Sequence, residues 1–322
     1  MKRLFLFVLI GSMMLASCDA MNVPTSMNEP ELPVVEQATQ EDSTNEAVPP
    51  IEQATEIPNE EPMHSTDPVE VTFESSDGVM LNGMYYPPRE KGAPIVVLMH
   101  QFNLNMHQWD AIALWLQNAE EKQAQTLNQM IAYRPGATEL AQGEPWQDAS
   151  WFPALPEDFS VGVFTFTFRG CEQGCQEMFR DGWIVDAQIA AQKAASMPEV
   201  DGTRIVTVGT SIGADAVVDS CQLLAPLSSL RCVGAMSLSP GSYLGMDYTT
   251  TAKSVVELGI PVHCFASEGD AASAATCNSF EMEGYAADVD SGSDHGINMV
   301  NPDHDTNILE VLRDFLLSEV LS

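Results

Sequence analysis

The sequence predicts an α/β fold built on a doubly wound, mostly parallel sheet. Ile95-Val96-Val97-Leu98-Met99 is a continuous apolar run, and residues 159–168, 205–208, 233–238 and 261–266 repeat the theme. Strands covered by helices on both faces read as uninterrupted hydrophobic segments rather than as alternations. Helical patterns over 183–195, 214–224 and 307–321 lie between or after those runs, and strands that alternate with helices build parallel sheets.

The chain of 322 residues changes character along its length. Residues 1–17 have a basic start (Lys2, Arg3), an apolar run over 4–10 and small residues before Cys18. This is a secretory signal, too short to span a membrane. Leu15-Ala16-Ser17-Cys18 resembles the lipobox of bacterial lipoproteins, which implies cleavage before Cys18 and a lipid anchor on it. The mature chain is then expected on the outer side of the cytoplasmic membrane. Residues 19–68 are Glu, Pro, Thr, Asn, Gln and Ser-rich, with no Lys or Arg. Such a segment buries too little apolar surface to fold. As a flexible tether of about 50 residues it reaches roughly 40 Å. A net charge of −33 argues against nucleic acid or an anionic membrane as a partner through a basic patch.

The folded domain is expected over 69–322. Val69-Glu70-Val71-Thr72-Phe73-Glu74 alternates like a half-buried strand, residues 75–78 supply a turn, and residues 80–86 alternate again, which reads as a hairpin. The run ending at Met99 is the third strand. Residues 109–155 then break the rhythm, with a helical pattern over 111–131 and a loop rich in Pro, Gly and Trp over 134–151. A segment that long between core strands reads as an insertion. Placed after the third strand it lies over the strand C-terminal ends, where open α/β sheets bind ligands, either as a lid or as a surface elaboration.

Residues 204–218 run from a β-branched strand through Gly209-Thr210-Ser211-Ile212-Gly213 into a small-residue helix. Gly-x-Ser-x-Gly between strand and helix is the pattern of a nucleophile elbow, and Ser211 is the candidate nucleophile. Downstream, Asp270 follows the strand ending at Ala266, and His295 precedes the last helix. Glu268 and Asp294 are rival carboxylates. His100-Gln101-Phe102-Asn103 follows the third strand, with His100 expected to organise that loop.

These residues resemble the α/β-hydrolase superfamily, nearest to its dienelactone-hydrolase-like and acyl-peptidase-like members. The resemblance rests on Ser76-Asp77-Gly78 with Leu81-Asn82-Gly83, Phe166-Thr167-Phe168-Arg169-Gly170, Trp183 with Asp186, the elbow, Ile260-Pro261-Val262 and His295-Gly296, in that order. It implies hydrolysis of an ester, thioester or amide in a small acyl substrate, with no cofactor. Ser211 is then the nucleophile, His295 the base and Asp270 the acid that orients it. Backbone N–H groups of Phe102 or Gln101, with that of Ile212, are the implied oxyanion donors. Two positions depart from the usual pattern: Gln101 stands where Gly is common, and Thr167-Phe168 replaces the Asp expected before Arg-Gly. A peptidase on the same fold and a catalytically silent binding protein are the alternative readings.

Besides Cys18 there are six cysteines, grouped as Cys171/Cys175, Cys221/Cys232 and Cys264/Cys277. An even count in an exported chain suggests disulfides, and the regular grouping favours these three local pairs. Cys171-x-x-x-Cys175 has no second Cys/His pair nearby, so no zinc site is expected. Asp288–Asp294 lacks the Gly and Glu positions of a calcium loop and is expected to be a solvated acidic loop leading to His295. His263 and His304 read as incidental.

Overall fold

The structure is a computed structural model and describes residues 65–118 and 143–320. Cys18, the signal segment, nearly all of the acidic tether and the middle of the expected insertion lie outside the described residues. Among the described residues no helix is long and apolar enough to cross a membrane.

Eight strands form one sheet in the order β1-β2-β4-β3-β5-β6-β7-β8. β1 (Val69–Glu74) and β2 (Met80–Tyr86) make the expected antiparallel hairpin, with Val69 opposite Tyr85 and Glu74 opposite Met80. β2 runs antiparallel to β4 (Gly162–Phe166). From β4 onward every neighbour is parallel, through β3 (Ala93–Met99), β5 (Val200–Thr210), β6 (Cys232–Leu238), β7 (Val262–Ser267) and β8 (Tyr285–Asp290).

The apolar run of β3 is buried throughout, and its side chains divide with period two. Ile95, Val97 and Met99 join a core with Phe164, Trp183 and Cys221, whereas Val96 and Leu98 join a second core with Trp109, Phe159 and Leu312. The first core is covered by α2 (Arg180–Ala195), α3 (Ile212–Leu224) and α4 (Tyr248–Glu257), and the second by α1 (Asp110–Leu116) and α6 (Ile308–Glu319). A short α5 (Ala271–Cys277) follows β7.

The helical pattern expected over 111–131 ends, in its described part, at Leu116, and Asn118 has a φ of 55°. All of α1 is buried, and Trp146 joins it in the second core. The described flanks of the insertion are therefore part of the domain's own packing, because the crossover from β3 to β4 has to cover that face of the sheet.

One expectation needs correction. Residues 288–290 are not solvated loop but the end of β8, and the Asp290 carboxylate is buried where it accepts from the Thr306 amide (3.0 Å) and hydroxyl (2.7 Å). The three local pairs Cys171–Cys175, Cys221–Cys232 and Cys264–Cys277 are all bonded, with Cα separations of 3.9, 5.3 and 5.5 Å. The two longer loops each contribute about 3 kcal/mol in the loop-closure account.

One buried acid works against stability. Asp219 on α3 is 1% exposed, and neither carboxylate oxygen has a partner among the described residues. The nearby Thr251 hydroxyl is committed to the Asp247 carbonyl at 3.1 Å. Burial, and then the charge of Asp215 one turn earlier, push the Asp219 carboxyl up to about 8. Unfolded, the same group titrates near 3.8, so between about pH 4 and 8 the folded chain holds a proton that the unfolded chain has lost. Stability therefore falls as pH rises through that window, by up to about 1.4 kcal/mol per pH unit, and levels off above it. Melting curves at pH 5 and pH 8 are expected to show a smaller decline for Asp219→Asn than for the parent chain; equal declines would refute this account.

Candidate active site

Ser211 sits between the end of β5 and the start of α3, with φ 54° and ψ −115°. A non-glycine residue there carries roughly 1–3 kcal/mol of backbone strain. Its amide is anchored on the Leu238 carbonyl at 2.9 Å, and its carbonyl accepts from Ala214 at 2.9 Å. The flanking glycines are required by close approach. A Cβ at Gly209 would lie 2.2 Å from the Gly213 carbonyl oxygen, and one at Gly213 would lie 2.3 Å from the Met99 carbonyl oxygen. Only glycine at both positions lets α3 start this close to β3 and β5.

That closeness matters because β3 and β5 are neighbours, with Met99 opposite Gly209. The chain winds from β3 to β4 on one side and returns to β5 on the other, so the loop after β3 and the elbow share the crevice at the switch point. His100 is fully buried in that loop. Its Nε2 accepts from the Phe168 amide at 3.0 Å, so the ring proton is on Nδ1 and is donated to the Gln101 carbonyl at 2.8 Å. Burial holds His100 at about 4, which makes it a neutral loop organiser.

Of the two amides expected from this loop, that of Gln101 is already engaged, donating to Gln108 Oε1 at 3.1 Å. The Phe102 amide has no acceptor among the described residues. Ile212, the first residue of α3, has no acceptor for its amide within the helix. The Phe102 loop is backed by the Cys171–Cys175 loop, where the Cys175 amide donates to the Phe102 carbonyl at 2.8 Å and Asn105 Nδ2 to the Glu172 carbonyl at 2.9 Å.

The structure brings Asp270 and His295 together. Asp270 Oδ2 lies 2.7 Å from His295 Nδ1. Burial acts to raise the Asp270 carboxyl, but the hydrogen bond from His295 and its charge outweigh it and hold the group below its usual range. An ionised Asp270 keeps the proton on Nδ1 and leaves Nε2 as the basic nitrogen. The rivals are placed elsewhere: Asp294 Oδ2 is 2.7 Å from His304 Nε2, and Glu268 is exposed. The loop that carries His295 abuts the elbow, since a Cβ on Gly296 would lie 3.4 Å from that of Thr210. The Gly296 amide donates to Ser239 Oγ at 2.9 Å.

Other signposts of the resemblance meet in one structural cluster. Arg169 binds Asp186 through its Nε (3.0 Å) and Asp77 through a terminal nitrogen (2.5 Å), and its carbonyl accepts from Trp183 Nε1 at 3.0 Å. The departing residues Thr167 and Phe168 are also occupied. Thr167 Oγ1 accepts from Met106 at 3.3 Å and the Phe168 amide serves His100, so they secure the loop after β3.

Sequence reasoning missed three residues around the site. Asp215, one turn into α3 and 1% exposed, accepts from the amides of Gly241 (3.0 Å), Ser242 (3.2 Å) and Tyr243. Burial pushes it up to about 6 against the pull of those bonds. It thereby holds the loop that sets the Tyr243 ring 6.4 Å from the His295 ring. An acid inside the apolar run Ala214-Asp215-Ala216-Val217-Val218 was the available signal. Gln108 and Tyr243 left no comparable mark.

Known proteins share this architecture. Dienelactone hydrolase from Anabaena variabilis ATCC 29413 is 10% identical, over 80% of this chain and 100% of that one, with a TM-score of 0.52. The α/β hydrolase GrgF from Penicillium sp. sh18 is 15% identical over 80% and 100%, with a TM-score of 0.51. The 2,6-dihydroxy-pseudo-oxynicotine hydrolase is 10% identical over 81% and 70%, also at 0.51. Likeness at these identities establishes the fold. No curated protein sequence matches the chain. The family model for acetyl xylan esterase (AXE1) matches residues 52–230, more than half of the chain and inclusive of the elbow. The chain therefore belongs to the acetyl xylan esterase family, as an ester-cleaving hydrolase on the α/β-hydrolase fold.

Proposed function

We propose that the protein is an exported, lipid-anchored serine esterase that removes short acyl groups, acetyl foremost, through an acyl-enzyme on Ser211. The observation that carries this reading is the elbow itself: a serine held at positive φ on the strand end, with His295, paired to Asp270 at 2.7 Å, in the loop that abuts it. His295 Nε2 takes the Ser211 proton as the hydroxyl attacks the ester carbonyl and returns it to the leaving alcohol. Water then attacks the acyl-enzyme by the same route. Asp270 holds the tautomer and stabilises the imidazolium. The Phe102 and Ile212 amides receive the oxyanion, aided by the positive end of α3. No step needs a cofactor. Family membership supports acetyl esters as the substrate class. The lipobox at Cys18 and three disulfides, which persist in oxidising compartments, support export.

Treatment of cells bearing the full chain with a fluorescent fluorophosphonate tests both parts. The expected result is a single adduct on Ser211 by peptide mapping, in protein that partitions into detergent and moves to the aqueous phase in Cys18→Ala. An unlabelled Ser211 removes the serine-esterase reading, and unchanged partitioning of Cys18→Ala removes the anchor.

A further inference from the structure

The proposed chemistry draws its parts from four loops far apart in the chain: the oxyanion loop after β3, the elbow after β5, the Asp270 loop after β7 and the His295 loop after β8, of which the last two are joined by the Asp270–His295 bond. Their relative placement has to hold to a fraction of an ångström, since misplacement by 1 Å costs about 100-fold in rate. Covalent connectivity does not supply that register.

Two buried glutamines bridge the oxyanion loop to the elbow and to the His295 loop. Gln108, 2% exposed, accepts from the Gln101 amide with its Oε1 (3.1 Å) and donates from Nε2 to Thr210 Oγ1 (2.9 Å), next to Ser211. Gln101, 6% exposed, accepts from the Ile297 amide with its Oε1 (3.0 Å) and donates from Nε2 to Asn103 Oδ1 (3.0 Å). A bond across 102 residues ties the oxyanion side to the elbow, and one across 196 residues ties it to the His295 loop. The fit at the second joint is tight. Gly296 has φ 61°, and a Cβ there would lie 2.3 Å from Gln101 Oε1, so the His295 loop is shaped around the carboxamide. A carboxamide alone among side chains of this length accepts and donates at one end without charge. Glycine at position 101, common in the wider superfamily, can make neither side-chain bond.

We infer that Gln101 and Gln108 are positioning residues that lock the oxyanion loop, the nucleophile elbow and the base loop into one register. The inference rests on the serine-esterase reading and concerns how its parts are held. Gln101→Gly tests it, because glycine is the residue this position commonly accepts, and Gln101→Met keeps length and volume while losing both bonds. Each purified full-length variant is compared with the parent for turnover of p-nitrophenyl acetate, for the rate of fluorophosphonate labelling and for melting temperature.

The expected result is a fall in kcat of about 10- to 100-fold, a parallel slowing of labelling and KM within about threefold, in protein that still melts cooperatively. Gln108→Met is expected to behave likewise, and the double variant to lose less than the product of the single losses, because both act on one register. Parent-like kcat and labelling in Gln101→Gly overturn the inference, as does a loss confined to KM. If Gln101→Met fails to fold, Gln101→Gly decides alone; if neither folds, the role is structural and the inference fails. If the parent itself is unlabelled at Ser211, the esterase reading falls and this one with it, whereas a labelled parent with indifferent variants removes this one only.

Discussion

Replacing Ser211 with alanine is expected to lower kcat for a short acyl ester by at least about 10,000-fold, with little change in melting temperature. Alanine occupies nearly the same volume and inherits the same φ of 54°, so the strain and the anchoring of the amide on Leu238 persist. What disappears is the oxygen proposed to form the acyl-enzyme. The His295–Asp270 pair remains bonded at 2.7 Å and the proposed oxyanion donors Phe102 and Ile212 remain in place, so a small residual rate above that in buffer is expected from water attack within the site. Steady-state kinetics with p-nitrophenyl acetate provide the check. Undiminished turnover would place the chemistry elsewhere in the molecule.

Asp270→Asn is the second large effect, with an expected loss of about 1,000- to 10,000-fold in kcat. The carboxamide has the shape of the carboxylate but lacks its charge, and its NH2 group can donate to Nδ1. His295 then carries its proton on Nε2 and, in the proposed mechanism, can no longer take the Ser211 proton. The imidazolium of that mechanism also loses its counter-charge. Asp294→Asn is the control: that carboxylate is bonded to His304, so kcat should stay within about threefold of the parent. If the two variants behaved alike, or in the reverse order, the assignment of the orienting acid would be wrong.

Much of the fold was legible because burial on both faces writes itself into composition. β3 needs seven successive buried residues, and a run such as Ile95-Val96-Val97-Leu98-Met99 fits little else. Less legible elements lacked that signature. β5 begins at Val200, opposite Ala93, but Asp201-Gly202-Thr203 falls where its register with β3 shifts, and the regular pairing resumes only at Ile205. α4 carries Thr249-Thr250-Thr251, β-branched residues with a weak intrinsic helix preference. It is held by the Asp247 cap, which accepts from the Thr250 amide at 2.8 Å, and by packing of Ala252 and Val255 on the core. β8, Tyr-Ala-Ala-Asp-Val-Asp, is an edge strand with one flank open and little apolar patterning.

The same division runs through the site. By itself, the sequence pointed to the α/β class, the strand–turn–helix at Gly209-Thr210-Ser211-Ile212-Gly213 and the three local cysteine pairs. All of these are local signals: continuous burial, close glycines on either side of a strained residue, and half-cystines a few residues apart. Tertiary structure alone decided that His295 turns to Asp270 while Asp294 turns to His304. It also decided that the Gln101 amide is spent on Gln108 and that the Gln101 carboxamide reaches Ile297. Those choices depend on hydrogen bonds between groups 7 to 196 residues apart. A polar side chain carries no mark of its partner until the sheet has brought the two strand ends together.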